Sequence, residues 1–118
     1  MLNMHKPSHK DFSCILNMLD SIKRIQEYST NFNDADGFYH DTKSFDASMM
    51  NFIVIGEMVD KLSEDLVTET SDKIDWLKVK GFRNIIAHNY FGIDAEEVWQ
   101  IINGSLKELK LTLENIIK

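Results

Sequence analysis

The sequence has few of the residues that cross-link a chain or break its helices. Its 118 residues include one cysteine, one proline and five glycines. A single cysteine excludes an internal disulfide and a four-cysteine zinc site within one chain. Cys14 lies in an apolar run, FSCIL, which favours a buried side chain over a reactive thiol. Because proline and glycine are scarce, helices joined by a few loops are favoured over a many-stranded fold.

Long apolar segments are also missing. No stretch reaches the roughly 20 mainly apolar residues of a transmembrane helix. The first residues, MLNMHKPSHKDF, lack the apolar centre of a secretion signal. We therefore expect a cytoplasmic protein with no membrane association. The length is typical of one domain, so a single domain over residues 1–118 is expected.

Positive charge is scarce as well. The formal net charge is −6, which argues against a protein that coats nucleic acid through a global positive field. The segment 76–90 nevertheless carries three cationic side chains and no carboxylate, so its formal charge is +3 and the rest of the chain carries −9. Two interpretations remain open, a local anion-binding site on an acidic body and a chance cluster.

Apolar residues recur at three- and four-residue steps, which indicates amphipathic helices. Four helices are predicted, over 8–28, 44–67, 75–90 and from Asp94 to the tail. A long loop is expected over 29–44, and Gly92 is expected to stop the third helix in a left-handed conformation. The second helix has an apolar face broad enough for a central position, and the last has near-heptad spacing. Surplus apolar surface of this kind often marks a dimer face.

Most catalytic signatures are absent from the sequence, which has no glycine-rich phosphate loop and no HExxH, CxxC or GxSxG motif. His5 and His9 have helical spacing but lie at a terminus, where metal binding is not favoured. Asp34, Asp36 and Asp41 lack the pattern of a calcium loop and indicate a solvated acidic loop. Neither a metal nor a cofactor is expected.

One polar cluster remains, in the segment RNIIAHNY at 83–90. Arg83 and Tyr90 are seven residues apart and share a helix face, and Asn84 and His88 are neighbours at a spacing of four. His88 lies roughly 140° round the helix from Arg83, so only the long arginine side chain can bring the two groups together. From the pattern alone, an exposed polar helix edge remains an alternative to a reactive site.

Several segments carry a resemblance to a known family: IGE at 55–57, Trp76, GFRN at 81–84, HNYFG at 88–92 and Val98-Trp99. They resemble the HepT-like branch of the HEPN superfamily. That branch is marked by an arginine, four residues, a histidine, one residue and a tyrosine, and Arg83, His88 and Tyr90 hold these positions. Asn84 stands where many relatives have an acidic residue. The likeness is detailed over about the last 65 residues.

The resemblance implies an all-α, four- to five-helix up-down bundle, a symmetric homodimer and metal-independent endoribonuclease activity on RNA. Such proteins are toxins of HEPN/MNT toxin–antitoxin pairs. Their usual partner is a minimal nucleotidyltransferase of the MntA kind, which neutralises the toxin by adding AMP to the motif tyrosine, here Tyr90. The alternative function belongs to another class, a non-catalytic helical subunit that binds and regulates a minimal nucleotidyltransferase.

Metal-free RNA cleavage needs a base, an acid and a cation for the crowded phosphorus. His88 suits the first two roles and Arg83 the third, and both are expected to be partly exposed at the helix edge. One chain supplies one motif histidine, so a twofold dimer would supply the second. The candidate residues are Arg83 and His88 as catalytic groups, Asn84, Tyr90 and Glu57 as supporting groups, and Lys78 and Lys80 as contacts to the RNA backbone. Glu57 is expected either to brace Arg83 or to be a plain surface carboxylate.

Overall fold

The computed structural model describes residues 6–118, so His5 lies outside the described residues. Within that range every element is helical and no strand occurs, which confirms the predicted all-α bundle. None of the helices in this described part of the chain is long and apolar enough to cross a membrane. The elements are α1 (His9–Ser29), α2 (Ala35–His40), α3 (Thr42–Lys61), α4 (Glu64–Thr70), α5 (Trp76–His88), a 3₁₀ turn (Tyr90–Gly92), α6 (Ala95–Asn103) and α7 (Ser105–Ile116).

Side-chain caps fix the starts of three predicted helices. The hydroxyl of Ser8 accepts a hydrogen bond from the Asp11 amide at 3.1 Å, at the start of α1. The carboxylate of Asp75 caps α5, and that of Asp94 caps α6. Each cap satisfies amide groups that have no partner inside the helix. These helix starts can be predicted from the sequence because each cap joins residues that are close together along the chain.

The predicted second helix is interrupted, and α3 and α4 replace it. Helix α3 ends at Lys61, and Leu62 is extended, with φ −69° and ψ 148°. Ser63 then caps α4, while its amide and hydroxyl donate to the buried carboxylate of Asp11 at 2.9 and 2.6 Å. Because Asp11 lies on α1, a contact across the bundle fixes this break, and the apolar periodicity of the segment does not show it.

The boundaries of the other helices also differ from the prediction. The expected loop over 29–44 contains the short helix α2, and the last helix is divided at Gly104, which has φ −130° and ψ −94°. Helix α5 stops at His88 and is followed by the 3₁₀ turn. Gly92 does not adopt a positive φ, so the predicted left-handed stop is wrong. The turn instead brings the Asn89 amide side chain to 2.5 Å from where a Cβ at Gly92 would lie.

Helix α3 is central, as its broad apolar face predicts, and packs against both α1 and α5. Removing this apolar surface from water is the main stabilising contribution, about 1.5–3 kcal/mol for each large side chain. The fully buried side chains include Ile15, Met18, Ile22 and Ile25 of α1, Phe38 of α2, Met49 and Ile55 of α3, Ile86 of α5, Val98 of α6 and Leu113 of α7.

Helices α3 and α5 approach closely at one glycine. A Cβ at Gly56 would lie 2.3 Å from the Cβ of Arg83 and 2.5 Å from its Cγ, so any side chain here would displace Arg83. One turn earlier, the rings of Phe52 and Phe82 pack edge to face with centroids 5.0 Å apart. This contact sets Arg83 directly against α3.

Candidate active site

Arg83 is held by three acceptors. Its Nη2 donates to Asp60 Oδ2 at 3.1 Å, its Nε donates to Asn84 Oδ1 at 2.8 Å, and its Nη1 donates to the carboxylate of Glu57. Only 13% of the side chain is exposed, less than the sequence predicts for a helix edge. Glu57 therefore contacts Arg83 directly, and Asn84 lies beside the guanidinium.

A second cation joins this cluster. Lys80 Nζ lies 2.7 Å from Asp60 Oδ1, so the Asp60 carboxylate bridges Lys80 and Arg83. Hydrogen bonds from Lys80 and then Arg83 lower the pKa of Asp60, and the bond to Asp60, followed by that to Glu57, raises the pKa of Arg83. The four formal charges cancel. Two of the three cations in the segment 76–90 are thus paired with α3, whereas Lys78 is exposed.

Tyr90 is held at a separate point on α3. Its hydroxyl donates to the carboxylate of Asp46, and its ring lies 6.4 Å from Phe45 and 5.9 Å from Phe91, centroid to centroid. Burial, then the hydrogen bond to Asp46, raises the pKa of Tyr90 well above its ordinary value. Asp46 and Glu57 lie three helical turns apart, about 16 Å along α3. Within one chain the Tyr90 hydroxyl is therefore not beside Arg83.

His88 lies at the end of α5 and is exposed. His40 contacts Asp36, whereas the imidazole of His88 forms no hydrogen bond or ion pair with any of the described residues. Arg83 donates to two carboxylates of α3 and to Asn84, and no hydrogen bond joins it to His88 within the described residues.

The exposed face of α5 next to His88 is partly apolar. Leu77 is 80% exposed and Ile85 48% exposed, at helical spacing on either side of Gly81. Apart from its chain neighbours and the nearby backbone of its own helix, a Cβ at Gly81 would have no atom of residues 6–118 within 4 Å. Beside this face, an open groove of about 750 Å³ runs between α5 and the helices α6 and α7, with Lys78 at its edge. This surface lacks a covering element within the described chain.

Asp46 and Asp60 are site residues that the sequence pattern did not single out. Both lie on the same outer stripe of α3 as Glu57, at spacings of 11 and 3 residues from it, close to whole numbers of helical turns. This stripe of carboxylates is the sequence feature that could have indicated Asp46 and Asp60 as site residues. No group of three possible metal ligands occurs within residues 6–118.

The family of the chain follows from its sequence as a whole. The ribonuclease HepT-like family profile matches residues 18–116. The chain belongs to this family. The family predicted from Arg83, His88 and Tyr90 is confirmed, and membership supports a ribonuclease.

Three curated relatives are also named as putative or probable ribonucleases. "Putative RNase MJ0127" of Methanocaldococcus jannaschii is 32% identical over 110 residues, which cover 92% of this chain and 89% of that protein. "Gamma-glutamylcyclotransferase and putative RNase MJ0434" of the same organism is 31% identical over 112 residues, and the chain spans only 47% of its length. "Probable ribonuclease HepT" of Thermococcus cleftensis is 26% identical over 113 residues, 96% of this chain and 99% of that protein. No solved structure matches the chain.

The raised pKa of Tyr90 predicts a loss of stability at alkaline pH. An unfolded tyrosine ionises near pH 10, so above about that value the unfolded chain binds fewer protons than the folded one. The stability that Tyr90 contributes is complete below about pH 10 and is lost as the pH rises further. Chemical denaturation should show a smaller alkaline loss for Tyr90→Phe than for wild type and for the control Tyr28→Phe. Equal losses in all three would contradict the assignment.

Proposed function

We propose that the protein is a metal-independent endoribonuclease, the toxin of a HEPN/MNT toxin–antitoxin system. One observation carries the proposal: His88, an exposed imidazole without a hydrogen-bond partner among residues 6–118, ends the helix that also carries Arg83 in a chain of the ribonuclease HepT-like family. In the proposed reaction a ribose 2′-oxygen bonds to the adjacent phosphorus while the bond to the 5′-oxygen breaks. One base removes the 2′-hydroxyl proton and one acid protonates the leaving oxygen.

Arg83 retains donors for phosphate. A guanidinium has five N–H groups, and the three acceptors on Arg83 leave one N–H on each Nη without a partner among residues 6–118. Those two groups are suited to negative charge that develops on the phosphoryl oxygens. Arg83 therefore serves both as part of the α3–α5 contact and as the cation of the site.

A twofold dimer would complete the site. One chain has one motif histidine, and a second copy packed on the exposed face of α5 would bring a second His88 to the same cleft. The face formed by Leu77, Gly81 and Ile85 supports this arrangement. Glycine inside a helix is less stable than alanine by about 1 kcal/mol, and no contact within residues 6–118 requires Gly81 to lack a side chain. Close approach of a second α5 would require it.

The dimer is tested by a substitution with opposite effects on folding and association. Gly81→Gln should stabilise the single chain by up to about 1 kcal/mol because glutamine favours helix, and it should weaken the dimer because the side chain fills the contact. Light scattering at micromolar concentration measures the association, and Glu27→Gln on the exposed side of α1 is the control. A wild-type monomer, or a dimer that Gly81→Gln leaves unchanged, would contradict the arrangement.

The activity is tested with purified protein and a single-stranded RNA in excess EDTA. We expect cleavage at an unchanged rate after chelation, because the proposed acid, base and cation are all side chains. A DNA strand of the same sequence should stay intact because it lacks the 2′-hydroxyl. Loss of activity with EDTA, or cleavage of the DNA strand, would contradict the mechanism.

Neutralisation is proposed to act at Tyr90, through an MntA-like minimal nucleotidyltransferase. The tyrosine oxygen would bond to the α-phosphorus of ATP, and pyrophosphate would leave. A tyrosine hydroxyl keeps its proton at neutral pH, and the raised pKa of Tyr90 makes that proton harder to remove, so the transfer needs a base. The Asp46 carboxylate already accepts the hydrogen bond from this hydroxyl and is placed to take that proton.

A second function is favoured by one observation. The net charge is −6, and the carboxylates of Glu57 and Asp60 balance Lys80 and Arg83, which leaves little free positive charge for RNA. This suits the alternative of a non-catalytic subunit that binds and regulates a minimal nucleotidyltransferase. Tight binding to that enzyme without any RNA cleavage at stoichiometric protein would support it.

A further inference from the structure

Asp60 lies between two cations of α5. Its Oδ1 is 2.7 Å from Lys80 Nζ and its Oδ2 is 3.1 Å from Arg83 Nη2. It follows Glu57 by three residues on α3, so the two carboxylates are neighbours on one helix face. Together they form a network of two carboxylates and two cations across the contact between α3 and α5, joined in the order Glu57, Arg83, Asp60 and Lys80.

The orientation of Arg83 depends on this network. The stem of the side chain is fixed against Gly56, where a Cβ would come within 2.3 Å of it. The head is fixed at all three nitrogens, by Asn84, Glu57 and Asp60. Glu57 binds Nη1 and Asp60 binds Nη2, so removal of either carboxylate would take away one of the three contacts that fix the guanidinium plane. Such a group is preorganised, which is what transition-state stabilisation requires.

We propose that Asp60 is a positioning residue for RNA cleavage, which orients Arg83 towards the reacting phosphate and compensates Lys80 so that uncleaved RNA is bound weakly. The proposal rests on the proposed ribonuclease function. In this proposal the Asp60 carboxylate acts in opposite directions on the binding of the transition state and on the binding of uncleaved RNA. Asp60 strengthens the interaction of Arg83 with the transition state, and it weakens the attraction of the site for the phosphates of the ground state.

Asp60→Asn separates these effects. The substitution keeps the size of the side chain but changes the formal charge of the four-residue network from zero to +1. We expect kcat to fall by about 10-fold or more because Arg83 loses its fixed orientation, and KM to fall as well because Lys80 and Arg83 attract RNA more strongly. A purely structural role for Asp60 would not lower both constants.

Binding without cleavage gives an independent measurement. In the His88→Ala background, Asp60→Asn should bind single-stranded RNA more tightly. A plot of the logarithm of the RNA association constant against the logarithm of the salt concentration should have a slope steeper by about 0.7 for each additional phosphate that the site neutralises. Asp60→Glu restores the carboxylate and should restore the wild-type slope and part of kcat. The control is Asp72→Asn, which makes the same charge change at an exposed side chain without an ion pair within residues 6–118. It should keep wild-type kcat.

The outcomes distinguish this proposal from the function on which it rests. If wild type cleaves RNA with dependence on His88 but Asp60→Asn keeps the wild-type kcat, Asp60 does not position Arg83 and the proposal alone is overturned. If kcat falls only in proportion to folded protein measured by circular dichroism, Asp60 is structural and the proposal is again overturned. If wild type does not cleave RNA, the proposal and the function fail together. A lowered kcat with a lowered KM and a steeper salt slope supports the proposal.

Discussion

His88→Ala is expected to abolish RNA cleavage while the protein stays folded. The side chain is exposed and lies at the end of α5, so its loss should change stability by no more than about 1 kcal/mol. Removal of one general acid or base typically slows a reaction about 10²- to 10⁴-fold. In the proposed dimer both imidazoles disappear, so acid and base are lost together and the effect should reach the upper end of that range.

His9→Ala is the matched control for this variant, because His9 is also exposed at a helix end, far along the chain from the motif. Both variants should show wild-type circular dichroism and thermal unfolding. Cleavage rates on one labelled RNA should separate them, with His9→Ala equal to wild type. Full activity in His88→Ala would remove His88 from the mechanism.

The catalytic role of Arg83 is better tested by Arg83→Lys than by Arg83→Ala. Arg83→Ala would remove both the cation that joins Glu57 to Asp60 and the stem that packs at Gly56, so lost activity would be confused with lost stability. Arg83→Lys keeps the charge and loses the planar fork. We expect it to fold and to cleave RNA much more slowly than wild type.

Tyr90→Phe is expected to block neutralisation completely. The substitution removes the acceptor oxygen and the hydrogen bond to Asp46, while the ring still packs against Phe45. Incubation of wild type with the proposed MntA-like nucleotidyltransferase and ATP should add the mass of one or more AMP units, and Tyr90→Phe should gain none. The variant should also remain toxic when both proteins are co-expressed. Intact-mass spectrometry measures the first effect and growth measures the second.

Tyr39→Phe is the control for the site of modification. Tyr39 is 45% exposed, and its ring packs on Phe45 at 5.1 Å, so it offers a second accessible tyrosine beside the first. It should gain AMP as wild type does. Equal mass gain in Tyr90→Phe and wild type would place the modification elsewhere and leave Tyr90 as a packing residue.

Much of the fold could be predicted because its determinants are local. The caps at Ser8, Asp75 and Asp94 and the apolar stripes define where helices start and which faces are buried. The break at Ser63 could not be predicted, since it depends on Asp11 of another helix. The kink at Gly104 interrupts a stripe whose periodicity continues through it, so the apolar pattern does not reveal it.

The sequence predicted the site residues of α5, but on α3 it indicated Glu57 and neither Asp46 nor Asp60. The sequence pattern points to α5, since Arg83, His88 and Tyr90 stand together there. Their partners Asp46 and Asp60 lie on α3 and come into contact only when the two helices pack. A carboxylate on an exposed helix stripe looks like a solvated residue until its partner helix is known. The low exposure of Arg83 has the same origin, because Gly56 admits the arginine stem to the surface of α3.

The most direct test of the proposed function is the chemistry of the product ends. A 5′-labelled RNA incubated with wild-type protein in EDTA should yield fragments with 2′,3′-cyclic phosphate and 5′-hydroxyl ends, because the 2′-oxygen is the nucleophile and the 5′-oxygen leaves with a proton. The same incubation with His88→Ala should leave the RNA intact. Fragments with 5′-phosphate ends, or no fragments with wild type at stoichiometric concentration, would contradict the proposed cleavage.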